Sequence, residues 1–127
     1  MFTRLTMLSV LMLLPMLAEA DKGQFEFLIG SQRHIFAPSC IKSLQYMKAG
    51  ETDSESLGFQ LTDTCAERMS TMTHENIGKP MTIAYEGNTL YSGMIIQHLK
   101  YGFRVSAADT PRVVLLQVIR DYDIPVE

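Results

Sequence analysis

One helix, and the way it stops, constrains this fold more than any other feature of the sequence. Cys65, Met69, Met72 and Asn76 recur at three- and four-residue spacing, with Ala66 and Thr73 beside them. That is the period of one helical face, and it predicts a core-facing stripe. Thr62 or Thr64 is the expected N-cap, and Thr64-x-x-Glu67 has capping-box spacing. Asp63 falls where the helix dipole favours an acid. Arg68 and Glu75 fall toward solvent. Gly78 ends the helix as a left-handed cap, and Pro80 prevents its continuation.

The segments around that helix have the period of strands. Ile41–Lys48 is a strand, 49–56 a polar loop, and Leu57–Leu61 alternates as a second strand. After the helix come Met81–Tyr85, a tight turn at Glu86-Gly87-Asn88, and a return strand over Leu90–Ile96. Ser92-Gly93 interrupts that strand, and the glycine marks a bulge or a close approach. A connector over Gln97–Tyr101 leads to a short strand, Gly102–Val105. Thr110 as N-cap with Pro111 at the first helical position opens a last helix. The β-branched run Val113–Ile119 would suit a strand by propensity alone. The expected order is β-β-α-β-β-β-α: an α+β fold with two helices on one face of a largely antiparallel sheet.

The N-terminus is read separately. Arg4 precedes an apolar run from Leu5 to Leu17, which ends at the small-x-small triplet Ala18-Glu19-Ala20. These are the parts of a cleavable secretory signal peptide. The run is shorter than the ~20 apolar residues of a membrane span; a retained N-terminal anchor is the alternative. The expected division is residues 1–20 as signal peptide, 21–40 as an arm or short strands (Phe25–Ile29 and His34–Phe36), and 41–127 as the main domain. The expected location is the periplasm or beyond the cell.

Residues 21–127 suit one domain with a real core. The formal charge of −3 has no basic stripe within it, which removes the electrostatic footprint of a nucleic-acid binder. Cys40 and Cys65 are the two cysteines. In an oxidising compartment an even count favours a disulfide; two buried thiols are the alternative.

Chemistry-bearing patterns are few. His34, His74 and His98 have no metal-ligand spacing, and no Cys-x-x-Cys exists. Ser39-Cys40 lacks a nucleophile-elbow signature. Gly78-Lys79 lacks the preceding glycine of a phosphate loop. Glu67, Glu75 and Glu86 occupy helix-surface and turn positions. No catalytic, metal or cofactor residues are expected, and the protein is read as a non-enzyme. Met69 and Met72 have core spacing. A peptide-binding surface, if present, is expected at Tyr91, Met94 and Ile96 on the sheet face away from the helices, or at an open strand edge.

The run Thr73…Asn76-Ile77-Gly78-Lys79-Pro80, following Phe59-Gln60-Leu61-Thr62-Asp63, resembles a known family. It looks like the head part of the first periplasmic domain of SecD, the accessory membrane protein of the bacterial Sec translocon. Ile83-Ala84-Tyr85-Glu86-Gly87, Phe103-Arg104-Val105-Ser106 and Thr110-Pro111 extend the resemblance, which covers about 41–120. Ser92-Gly93, Ala107 and Gln117 depart from the family pattern. SecD's transmembrane helices have no counterpart here, so the resemblance implies a stand-alone head and not an export motor. It implies a periplasmic module that contacts polypeptide. The rival expectation is a secreted inhibitor or effector-type protein that binds one dedicated folded partner.

Overall fold

The computed structural model describes residues 22–126; the signal-peptide reading lies outside them. Seven strands and two α-helices follow one another: β1 (Phe25–Ile29), β2 (Gln32–Phe36), β3 (Ile41–Met47), β4 (Ser56–Leu61), α1 (Asp63–Glu75), β5 (Pro80–Tyr85), β6 (Asn88–Met94), β7 (Gly102–Ser106) and α2 (Arg112–Asp121). A single 3₁₀ turn, Pro38–Cys40, joins β2 to β3. The class is α+β, and from β3 onward the order is the expected β-β-α-β-β-β-α.

The strands divide between two antiparallel sheets. One has the order β2-β1-β5-β6 and the other β3-β4-β7. Residues 25–36 are therefore not an appendage. β1 sits inside the first sheet, pairing with β2 on one side and β5 on the other. Gly23 just before it is also built in. Its N–H donates to the Tyr85 hydroxyl (2.8 Å) and its carbonyl accepts from Tyr122 (2.5 Å). A Cβ there would fall 2.7 Å from the Tyr85 ring, so only glycine fits.

The core lies between the sheets. Phe25, Phe27 and Ile29 on β1, Met81, Ile83 and Tyr85 on β5, and Leu57, Phe59 and Leu61 on β4 are all buried in it. Phe25 meets Phe59 edge-on across the sheets at 5.1 Å. Phe59 stacks on Phe103 at 4.8 Å. Both helices feed the same cluster: Cys65, Ala66, Met69 and Met72 from α1, Val114 and Val118 from α2. The α1 stripe is the one its spacing predicts.

The helix ends differ from expectation in detail. Thr62 is the N-cap of α1, but neither it nor Thr64 caps with its side chain. α2 starts at Arg112 with Pro111 as N-cap. Thr110 does not cap: its buried hydroxyl donates to the Leu90 carbonyl of β6 at 2.7 Å. At the far end of α1, Gly78 does adopt the left-handed conformation, φ +85°.

The β5–β6 turn is Glu86-Gly87, both residues at positive φ, as a two-residue hairpin loop requires. The irregularity in β6 lies at Leu90, between Thr89 and Tyr91, and not at Gly93. Gly93 pairs regularly with Met81. What it provides is close approach: a Cβ there would fall 2.1 Å from the Tyr91 hydroxyl.

Candidate functional site

The Thr73–Pro80 run at the end of α1 is a joint. Thr73 is fully buried. Its hydroxyl donates to the Met69 carbonyl (2.8 Å) and accepts from the Leu99 N–H (2.9 Å). Asn76 closes the helix through its amide to Met72 O at 2.7 Å. The Gly78 N–H donates to Ile95 O at 2.7 Å, and the Ile95 N–H to Lys79 O at 2.9 Å. Pro80 then opens β5 opposite Met94. These residues fix where the end of β6 lies relative to α1.

Some titratable groups are paired structurally. Arg33 and Glu26 form a 2.6 Å ion pair, and the Arg33 hydrogen bond holds the Glu26 carboxyl below its ordinary range. Arg112 forks onto both oxygens of Glu55 (2.9 and 2.6 Å), which also accepts from Tyr46. The Arg112 bond, then the Tyr46 bond, lowers the Glu55 carboxyl. Tyr85 and Tyr122 are both pushed upward, chiefly by burial.

The structure brings His74 and His98 together with ring centroids 5.9 Å apart, which sequence spacing did not reveal. The Ser70 hydroxyl lies 2.5 Å from His98 Nε2. Among the described residues no group of three or more His, Cys, Asp or Glu is placed to hold a metal. Cys40 and Cys65 are joined, with Cα atoms 5.4 Å apart. Their bridge ties the first turn of α1 to the segment that follows β2.

Four strands form sheet edges: β2 and β6 in one sheet, β3 and β7 in the other. An open edge is a template for another chain, and proteins defend it with charge or cover. β2 carries Arg33, β3 carries Lys42 and β7 carries Arg104. From Asn88 to Gln97 there is no charged residue. Among the described residues, β6 is thus the one edge strand without a charge.

The backbone of β6 divides by alternation. Tyr91, Gly93 and Ile95 turn their N–H and C=O toward β5 and the turn before it, as the Ile95 bonds to Gly78 and Lys79 show. Ser92 and Met94 therefore turn theirs outward, and none of the described hydrogen bonds engages them. Toward the hairpin the edge is closed, because Thr110 occupies the Leu90 carbonyl. The bare stretch runs from Ser92 to Ile96.

The three residues expected at a peptide surface do not share one face. Met94 (58 % exposed) points to the open side of the sheet, and Ile96 (78 % exposed) continues past the strand end. Tyr91 lies on the other side, half-buried against the core over Gly93. Ile77, in the turn after α1, is a third exposed apolar side chain near this end of β6. The edge-plugging role of Thr110 had no sequence signal. The charge-free run did, in plain view.

The fold is thus an α+β domain of two antiparallel sheets, and among the described residues the β6 edge carries no charged side chain. No protein-family model matches the chain, and no curated protein matches it significantly. Among the described residues no helix is long and apolar enough to cross a membrane.

Proposed function

We propose that this protein is a non-enzymatic periplasmic binding module that takes extended polypeptide on the β6 edge, a counterpart of the SecD head it resembles. The observation that carries the reading is the bare edge Ser92–Ile96, uncharged and flanked by exposed Met94 and Ile96. Strand addition there would draw affinity from backbone bonds and only loose selectivity from alternate side chains. That suits a binder of many unfolded segments. Export fits the Cys40–Cys65 bridge, since disulfides persist in oxidising compartments. It also fits the anchoring of the fold at Gly23, beyond the expected cleavage site at Ala20.

A photoreactive residue at Ile96, introduced in cells, tests this. The expected outcome is cross-links to many unrelated unfolded chains, lost when Ser92→Lys charges the edge and absent from a probe at Val113. Mass spectrometry of the purified protein should place the mature N-terminus at Asp21.

A second reading has its own observation. Val113 and Leu116 form an exposed apolar pair on α2, a surface for one dedicated folded partner, as in an inhibitor or effector. One stoichiometric cross-linked partner at Val113, with none at Ile96, would establish that reading in place of the first.

A further inference from the structure

The bare edge has a second natural occupant. We infer that a second copy of this chain docks on it, β6 antiparallel to β6 about a two-fold axis at Met94, and keeps the edge closed until a client displaces it. The regulatory part rests on the reading that this edge takes extended polypeptide.

Charge singles out this strand for self-pairing. A two-fold antiparallel pair sets each strand against its own sequence. On β7 that sets Arg104 against its own copy, and on β2 it brings Arg33 to a diagonal position from its own copy, while Lys42 lies toward one end of β3. Like charges across a strand pair are destabilising. Among the described edge strands, β6 alone meets no charge of its own in any register, because Asn88–Gln97 holds none.

Register follows from what blocks the strand. Thr110 holds the Leu90 carbonyl, so the free edge starts at Ser92. Centring on Gly93 would run Ile96 of the partner subunit into Leu90 and the Thr110 loop. Centring on Met94 sets Met94 opposite Met94 of the partner subunit and Ser92 opposite Ile96 of the partner subunit. The outward N–H and C=O groups of Ser92 and Met94 are then satisfied, and the two most exposed apolar side chains near this edge are covered. The two sheets become one continuous eight-stranded sheet.

Such a contact is short. Interfaces below about 1,200 Å² belong to weak, transient complexes. The pair therefore forms as concentration rises and yields to a longer client strand.

Sedimentation velocity of the mature protein over a concentration series reads the pairing. The wild type should move from monomer toward dimer. Met94→Lys and Met94→Glu, both at an exposed site and both checked for folding by circular dichroism, should each stay monomeric. An equimolar mixture of the two should regain the dimer, because opposite charges now meet at the axis. Client capture by the Ile96 probe should fall as the dimer fraction rises.

A wild type that is monomeric throughout, a dimer that survives Met94→Lys, or a mixture no different from its components overturns the inference. So does capture that ignores the dimer fraction. Monomeric wild type that still captures clients leaves the proposed function standing. A dimer that obeys the charge-swap rule but captures nothing at any dilution upholds the pairing and overturns that function.

Discussion

The two edges of the four-stranded sheet are treated in opposite ways. At β2, Arg68 reaches from α1 and donates to the outward carbonyl of Ile35 at 2.8 Å, with its guanidinium 4.4 Å above the Phe36 ring. Gln32 bonds Asn76 at the other end of the strand (3.3 Å). Arg33 adds a charge, and the Cys40–Cys65 bridge holds α1 against this flank. At β6 the protection ends at Leu90. The contrast teaches that edge defence is within this fold's means, so its absence over five residues is a property to be explained.

Removing the bridge attacks the protected edge hardest. Cys40→Ser with Cys65→Ser should lower stability by about 3 kcal/mol in the chain-entropy account of a loop this size. Urea unfolding measures it. Hydrogen exchange should accelerate in β2 and α1 more than in β6. Equal acceleration at both edges would break the comparison.

Arg68→Ala is next. It removes a cation–π contact and a hydrogen bond to the edge, together about 1–2 kcal/mol. Arg33 still guards the strand, so self-association should not change. Adding Arg33→Ala should produce new association through β2. A double variant no stickier than the wild type would show that neither arginine protects the edge.

Thr110→Val tests the boundary on the other side. The buried hydroxyl is lost and the Leu90 carbonyl is freed, for about 1 kcal/mol by urea unfolding. The bare edge then lengthens toward the hairpin. Photocross-links should extend from Ile96 back to a probe at Leu90. If they stay confined to Ile96, something other than Thr110 sets the limit.

The smallest effect is electrostatic. Glu26 titrates below its ordinary range because Arg33 donates to it. Its contribution is full above the unfolded-state value of about 4.3 and is lost as pH falls through the lower folded value. Acid should therefore loosen the β1–β2 flank slightly and leave β6, which has no charge, unaffected. Glu26→Gln should flatten the acid side of the stability curve, with no change at neutral pH beyond the loss of the pair.

Much of this was legible residue by residue, where the determinants are local. The α1 stripe, the Gly78 stop and the Glu86-Gly87 turn follow from periodicity and from backbone conformations that glycine adopts freely. α2 formed despite its β-branched run, because Val114, Leu115 and Val118 align on one buried face. The first strands were ambiguous, since five apolar-rich residues read alike as an arm or a strand. Pairing with β5, more than fifty residues away, decided it. Thr110 departs from its expected cap for a related reason. A local rule offered it a cap, and a carbonyl 20 residues away took its hydroxyl instead.

The sequence alone determined the elements from β3 onward, their order and the run of residues that carries no charge. Each depends on side-chain chemistry and on dihedral preferences that act within a few residues. Only the tertiary structure decided that the strands split into two sheets, that β1 lies inside one of them, and that the charge-free run is an edge. Strand neighbours are chosen by burying Phe25, Phe59 and Phe103 against one another, a choice made by the whole core. An edge is whatever that choice leaves unpaired, and here it left Ser92–Ile96.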